Sequence, residues 1–256
     1  MTPLLRVRDV TKYYGAHVAC DRVSLDLYAG QVLGLLGESG SGKSTLLRAL
    51  VGDAPIDAGD IAYVDARGET LVLSDLDEAR RRRLMRTEWG LVHQDPRDGL
   101  RMHASAGANV AERLLDGGLR HYGELRRTVL HWLREVEIDP SRADERPGVF
   151  SGGMQQRLQL ARVLVTRPRL VLMDEPTGGL DLSVQARLLD LIRTLVRELQ
   201  LSVIVVTHDI GVVRLIADAV LVMRTGRIVE SGVADRVLDD PQHPYTQLLV
   251  SAALVP

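Results

Sequence analysis

Cysteine, lysine and aromatic side chains are scarce in this chain of 256 residues. It has a single cysteine, Cys20, only two lysines against 30 arginines, and 4% aromatic residues. One cysteine excludes a disulfide within the chain, and it excludes an iron–sulfur or zinc site made from several cysteines of one chain. Because arginine so strongly replaces lysine, each of the two lysines, Lys12 and Lys43, stands out against the composition.

Long apolar runs and a basic excess are also missing. No 18 consecutive residues are apolar, and residues 1–9 have no apolar core of signal-peptide length. We therefore expect a cytoplasmic protein that does not itself insert into a membrane. The net charge of −2 lacks the basic excess typical of nucleic-acid binding, so no nucleic-acid partner is expected. The arginine run at residues 80–83 is flanked by acidic residues and indicates a solvated helix face, with a patch that binds a partner or nucleic acid as the alternative.

A glycine-rich stretch at residues 37–44 carries the first chemical signal. Its sequence, GESGSGKS, fits the pattern G-x-x-x-x-G-K-[ST] and follows the apolar run at residues 32–36. Such a backbone can curl so that its N–H groups converge on phosphate oxygens, and a helix beginning near Lys43 adds the positive end of its dipole. Lys43 supplies a charge for the outer phosphates, and the Ser44 hydroxyl is placed to bind Mg²⁺. The stretch predicts a phosphate-binding loop.

Four more polar side chains follow short apolar runs that predict strands. They are Gln94, the adjacent pair Asp174 and Glu175, and His208. Ligands of open parallel sheets bind beyond the carboxyl ends of the strands, where these side chains would meet. One carboxylate can hold Mg²⁺ while the other accepts a proton from an attacking water, and because adjacent strand residues point to opposite faces, the two should differ in role. Gln94 is a candidate to contact the metal or the water. His208 is a candidate to contact the phosphate that the loop at residues 37–44 would bind.

Two further positions leave alternatives open. Tyr14, just before Gly15, could stack on a nucleobase or pack on a sheet edge. Ser151 is suited to cap a helix whose first turn, with Gly152 and Gly153, leaves N–H groups uncovered. The N-terminus of this helix could bind a second anion, although from the residues alone an ordinary capped helix is the simpler interpretation.

The hydrophobic patterns predict an α/β fold in one domain, residues 1–256. Residues 1–95 and 167–230 should form the α/β core with an antiparallel N-terminal β-subdomain, residues 96–166 an inserted helical subdomain, and residues 231–256 a helical tail. The predicted strands cover parts of residues 4–28 and residues 61–64, 70–73, 89–95, 170–175, 203–206, 219–223 and 227–230, the strand from residue 89 being stopped by Pro96. The predicted helices cover residues 44–50, 75–86, 104–115, 122–136, 151–165 and 183–199, with a last short helix in the tail.

Taken in order, these motifs resemble the nucleotide-binding domain of the ATP-binding cassette (ABC) superfamily over almost the whole chain. The resemblance implies a P-loop domain with a RecA-like mixed sheet that hydrolyses ATP with Mg²⁺ in a head-to-tail homodimer. It implies catalytic roles for Glu175 as general base, His208 as γ-phosphate switch and Gln94 as sensor of metal and water. The implied ATP contacts are Tyr14, Gly37, Glu38, Ser39, Gly40, Ser41, Gly42, Lys43, Ser44, Thr45, Ser151, Gly152, Gly153 and Asp181. The implied Mg²⁺ ligands are Ser44, Gln94 and Asp174.

Two departures from the family pattern affect this interpretation. Met154 stands where the signature usually has glutamine, and residues 178–179 are two glycines instead of the more usual small polar pair. Neither removes the Ser151 hydroxyl or the glycine N–H groups, so we expect hydrolysis to survive. A nucleotide-bound scaffold that does not hydrolyse ATP is the alternative of another class.

Within the superfamily, the tail at residues 240–249 resembles the ATPases of oligopeptide and nickel importers. A closer resemblance is to an ATPase subunit of the bacterial carbon–phosphorus lyase system, which degrades phosphonates. It covers residues 86–90, 93–94 with 98–101, 105–107 with 112–114, 150–157 and 173–190. That resemblance implies docking on a soluble core complex, including its radical-chemistry subunit, through residues around Gln94 and the helical subdomain. An importer motor remains the alternative. A third alternative, a DNA-repair ATPase, is less favoured because the chain has no coiled-coil insertion and no set of zinc-binding cysteines.

Overall fold

Two β-sheets are built from ten strands within residues 2–253, the part of the chain that the computed structural model describes. The strands are β1 (Leu5–Tyr14), β2 (His17–Leu27), β3 (Val32–Leu36), β4 (Ala58–Val64), β5 (Thr70–Val72), β6 (Trp89–Val92), β7 (Leu170–Asp174), β8 (Ser202–Thr207), β9 (Ala219–Arg224) and β10 (Arg227–Val233).

Ten α-helices lie between or after the strands of the described chain. They are α1 (Lys43–Val51), α2 (Glu78–Thr87), α3 (Pro96–Gly99), α4 (Ala106–Asp116), α5 (Tyr122–Glu135), α6 (Gly152–Leu164), α7 (Leu182–Leu199), α8 (Ile210–Ile216), α9 (Ala234–Asp239) and α10 (Pro244–Ala253). Short 3₁₀ turns occupy Leu73–Asp75, Pro140–Asp144 and Pro147–Val149.

The larger sheet has the strand order β10-β9-β3-β8-β7-β6, in which β10 is antiparallel to β9 and the other neighbours are parallel. Every residue of β3 and β8 is buried, as expected of parallel strands covered on both faces. In the register, Leu36 lies opposite Thr207, and Asp174 lies opposite Val206. The carboxyl ends of β3, β8 and β7 therefore meet at one edge of the sheet.

The smaller sheet is antiparallel, with the strand order β2-β1-β4-β5. Its inner face and one face of the larger sheet enclose α1 in a shared apolar core that includes Leu5, Leu27 and Leu46. The fully buried rings of Tyr63 and Trp89 meet edge to face across this core, with centroids 5.1 Å apart. This packing holds the hairpin of β1 and β2 beside the phosphate loop.

The segment between β6 and β7, all of which the structure describes, forms helices and 3₁₀ turns joined by loops, and it contains no strand. Its helices enclose a second apolar core that includes Val110, Trp132, Leu133 and Leu158. Fully buried Asn109 fixes the chain entering α4, because its side-chain amide accepts from the Arg101 N–H at 2.7 Å and donates to the Arg101 carbonyl at 3.1 Å. The division into subdomains at residues 95 and 166 remains a prediction.

The structure confirms the predicted fold class, and the predicted strands and helices occur with shifted ends. The helix expected from residue 75 begins at Glu78, because a 3₁₀ turn comes first and the Asp77 carboxylate caps the helix by accepting from the Arg80 N–H. Helices α8 and α9 were not predicted, since six or seven residues are too few to show a helical period. The predicted N-terminal region and tail extend to residues 1 and 254–256, which lie outside the described residues. Within residues 2–253 no helix combines the length and apolarity that crossing a membrane takes.

Candidate active site

The phosphate loop lies against the ends of β2 and β9. Gly42 adopts φ 105°, and a Cβ atom there would come 2.2 Å from the Ala19 carbonyl oxygen. A Cβ atom on Gly37 would come equally close, 2.2 Å, to the Met223 carbonyl oxygen. Only glycine permits this approach, so the glycines of the motif are needed to seat the loop as well as to curl it.

Lys43 begins α1 and folds back into the loop. Its Nζ atom donates to the carbonyl oxygens of Gly37 at 2.6 Å and Glu38 at 2.8 Å, and the residue is only 6% exposed. Burial lowers the pKa of the ammonium, whereas the nearby charges of Glu175 and Asp174 raise it. The loop therefore holds a desolvated positive charge at its centre, which suits it to the outer phosphates of a nucleotide.

Ser44 and Asp174 form a pair of oxygen donors next to Lys43. The Ser44 hydroxyl donates to Asp174 Oδ1 at 3.4 Å, and both side chains lie at the open edge of the sheet. Burial raises the pKa of Asp174, and the neighbouring charge of Glu175 raises it further. Mg²⁺ usually takes one or two protein oxygens together with phosphate oxygens, so this pair fits a Mg²⁺ ion brought in with a nucleotide.

The raised pKa of Asp174 predicts how Mg²⁺-dependent binding responds to pH. Asp174 should take up a proton at a higher pH than an ordinary carboxyl group, and it would then lose the charge that suits it to bind Mg²⁺. We expect the affinity for MgATP to fall on acidification, with an acid limb that Asp174→Asn removes. Because the charge of Glu175 contributes to the shift, Glu175→Gln should move this limb to lower pH. Titration calorimetry at several acidic pH values measures the affinity for MgATP. If the fall in affinity occurred at the same pH in Glu175→Gln, the charge of Glu175 would not be raising the pKa of Asp174.

Glu175 turns away from the strand instead of continuing it. Its φ of 42° lies in the left-handed region, which is uncommon for a residue with a side chain, and the bend places its carboxylate beside β8. Oε2 accepts from the Thr207 hydroxyl at 2.9 Å, and Oε1 lies 2.7 Å from Nδ1 of His208. The two carboxylates have different partners, while the different roles predicted for them remain a prediction. The expected alternation along one strand is wrong, because the strand ends at Asp174 and does not extend to Glu175.

A cleft of about 370 Å³ lies against Lys43, Ser44 and Glu175, whereas Asp174 lines a neighbouring cavity that shares Gln94 with the cleft. Its walls include the phosphate loop together with Tyr14, Gln94, Glu175 and His208. Tyr14 is 47% exposed, with the Lys12 ammonium 5.5 Å from its ring centroid. A half-exposed ring at the cleft wall favours stacking on a nucleobase over packing on a sheet edge, although that role remains a prediction. His17, which pairs with Tyr14 across the hairpin, also lines the cleft and was not predicted.

The structure does not bring Ser151, Gly152, Gly153 or Asp181 to this cleft. Ser151 caps α6 by accepting from the Met154 N–H at 3.3 Å, and its hydroxyl hydrogen remains available to a ligand. Gly152 lines a second cavity of about 620 Å³, which Gln94 shares. Asp181 is exposed at the start of α7, where its side chain makes no capping bond. One chain therefore presents the phosphate loop and the helix start of Ser151 as separate sites.

Two buried glutamines that were not predicted connect these sites. Gln159 forms two hydrogen bonds with the backbone of His93. Its Oε1 accepts from the His93 N–H at 2.7 Å, and its Nε2 donates to the His93 carbonyl at 3.1 Å. Gln156 Nε2 donates to the carbonyls of His93 at 3.1 Å and Pro176 at 2.9 Å. Helix α6 is thus fastened to the residues adjoining Gln94 and Glu175. Polar residues spaced three apart on an otherwise apolar face are the signal that could have revealed them.

Comparisons with known proteins agree with this geometry. The chain matches the ABC transporter family over residues 20–178. It is 59% identical over 252 residues to PhnK of Escherichia coli (strain K12), a protein whose name assigns it to phosphonates utilization and ATP binding, and the match covers 98% of each chain. It is 39% identical to the oligopeptide transport ATP-binding protein OppF of the same organism, covering 93% of this chain and 70% of OppF. Among solved structures, a dimer of the ATP-binding cassette MJ0796, in a post-hydrolysis state with ADP and Pi, is 29% identical with a TM-score of 0.80, covering 90% of this chain and 98% of that chain.

Proposed function

This chain belongs to the ABC transporter family of ATP-binding proteins, and from that premise we propose that its ATPase activity serves phosphonate breakdown by a carbon–phosphorus lyase complex. The observation that carries the proposal is the 59% identity to PhnK, which extends over 98% of both chains. The second candidate, an importer motor, is favoured by the weaker similarity to OppF, of which this chain covers 70%.

The geometry supports definite roles in ATP hydrolysis. The phosphate loop and Lys43 would hold the outer phosphates, and Tyr14 would stack on the adenine. Ser44 and Asp174 would bind Mg²⁺, which neutralises charge on the β- and γ-phosphates when it is bound, with Gln94 as a further ligand or water contact. Glu175 would accept the proton of the attacking water, since its carboxylate is already oriented by Thr207 and His208.

We propose that two copies of the chain complete the site by packing head to tail. Ser151 and Asp181 lie away from the cleft that holds Lys43, so a second subunit is needed to bring the α6 start onto the nucleotide. The Ser151 hydroxyl and the exposed N-terminus of α6 are suited to an anion that another subunit presents. MJ0796 was solved as a dimer with the products of hydrolysis bound.

The partner that we propose is the soluble carbon–phosphorus lyase core, including its radical-chemistry subunit. Residues around Gln94 and the helical segment at residues 96–166 would form the docking face, because the glutamine pair of α6 connects that segment to both catalytic strand ends. The site of action would be the cytoplasm, where ATP is available and where the free, buried thiol of Cys20 would stay reduced.

Affinity purification of the tagged protein from phosphate-starved native cells, with and without detergent, tests the proposal. We expect carbon–phosphorus lyase subunits to be recovered without detergent. Recovery of integral permeases only with detergent would contradict the pathway and establish the importer motor. Phosphate release by the purified protein, alone and with its recovered partners, separates an ATPase from a nucleotide-bound scaffold that does not hydrolyse.

A further inference from the structure

One peptide group of the phosphate loop is held from both ends. The carbonyl of the peptide between Gly37 and Glu38 accepts from Lys43 Nζ at 2.6 Å. The N–H of the same peptide donates to the hydroxyl oxygen of Tyr245 at 3.0 Å. Tyr245 belongs to α10, 207 residues further along the chain. A tail residue thus contacts the peptide that anchors the ammonium of the phosphate loop.

Tyr245 is itself held firmly by residues outside the loop. Its side chain is 3% exposed and packs in an apolar cluster with Leu36, Val222 and Leu238. The Arg224 guanidinium lies 4.7 Å from the centroid of its ring. The position of the hydroxyl is therefore set by the sheet and the tail.

A carboxylate on β10 fixes the chain that leads into α10. Glu230 accepts from the backbone N–H of Gln242 at 2.8 Å and from that of His243 at 3.0 Å. Nδ1 of His243 in turn accepts from the N–H of Tyr245 at 3.1 Å. Charge-assisted bonds of this kind are stronger than neutral ones, so the tail is attached at a defined position.

We propose that Tyr245 is a positioning residue for nucleotide binding, acting through the peptide between Gly37 and Glu38 on Lys43. By accepting from the N–H, the hydroxyl fixes the plane of that peptide and directs its carbonyl toward the ammonium. Hydrogen bonds at the two ends of one peptide also strengthen each other. The proposal rests on the role in phosphate binding proposed for Lys43, and it assigns a task to the tail that follows the cassette core.

Tyr245→Phe tests this, because it removes the hydroxyl and keeps the ring. The loss of one hydrogen bond should weaken the binding of ATP and of ADP roughly fivefold. Since Lys43 would contact the phosphates both before and during the reaction, KM for ATP should rise with little change in kcat. Hydrogen exchange at the Glu38 amide should accelerate.

Tyr63→Phe is the matched control, because it also removes a buried tyrosine hydroxyl, one that donates to Glu88 at 2.9 Å away from the cleft. It should lower Tm about as much as Tyr245→Phe while leaving nucleotide affinity unchanged. Unchanged ADP affinity in folded Tyr245→Phe would overturn the proposal.

If Tyr245→Phe does not fold, a second variant tests the positioning role of Tyr245. Glu230→Gln keeps the tyrosine but loosens the attachment of the tail. It should weaken ADP binding by less than the fivefold expected for Tyr245→Phe. Unchanged ADP affinity in Glu230→Gln would equally overturn the proposal. ADP binding is measured without turnover. A wild-type protein that binds ADP but releases no phosphate from ATP would therefore contradict the proposed ATPase role and leave this test intact.

Discussion

Replacing Glu175 with glutamine is expected to lower the turnover of ATP about a thousandfold while ATP still binds. The Glu175 carboxylate is oriented by two neighbouring side chains, Thr207 and His208, and it can accept a proton from water. A glutamine keeps the shape and can still bond to Thr207, but it cannot take up that proton. Binding should persist because Lys43 and the loop are unchanged. Phosphate release gives the turnover, and titration with ATP gives the affinity.

Glu88→Gln is the control for the general effect of replacing a partly buried carboxylate with an amide. Glu88 is half-buried and accepts from Tyr63 and from the Ala66 N–H, outside the cleft. It should therefore affect stability without affecting turnover. If Glu175→Gln kept the wild-type rate, Glu175 could not be the general base. A loss of both binding and turnover would instead point to a disturbed cleft.

The parts of the site that a short stretch of sequence encodes were predictable. Residues 37–44 form a loop before a helix because their glycines and the preceding apolar strand leave few alternatives. The polar residues after β6, β7 and β8 meet because parallel strands end at the same edge of the sheet. The prediction was less accurate at Glu175, where a single residue in the left-handed region overrides the alternation of the strand.

The long-range contacts could not be read from local patterns. Gln159 reaches His93 across 66 residues, and Tyr245 reaches Glu38 across 207. A glutamine inside a helix or a tyrosine in a tail gives no indication of its partner until the strand order is known. These contacts connect the residue before Gln94 to α6 and the phosphate loop to α10.

Lys43→Met and Ser151→Arg should each abolish turnover, for different reasons. The first removes the ammonium that the loop encloses and leaves the charges of Asp174 and Glu175 facing the phosphates, so ATP binding should fall about a hundredfold. The second places a large side chain at the exposed start of α6, which should keep this helix start from contacting the nucleotide that the other subunit holds, while ATP still binds to the phosphate loop. Loss of the Ser151 cap costs about 1 kcal/mol, so Tm must show that this variant is folded.

An equimolar mixture of the two inactive variants separates a composite site from a site within one chain. In a mixed head-to-tail dimer, one cleft combines the intact Lys43 of the Ser151→Arg chain with the intact Ser151 of the Lys43→Met chain, and the other cleft carries both defects. If the two variants pair at random, half of the dimers are mixed, and with clefts that act independently the mixture should recover about a quarter of the wild-type activity. A mixture no more active than its components would show that Lys43 and Ser151 do not meet across an interface. In that case the separation of the two sites in one chain would need another explanation, and the second cavity, which Gly152 and Gln94 both line, would be the place to seek it.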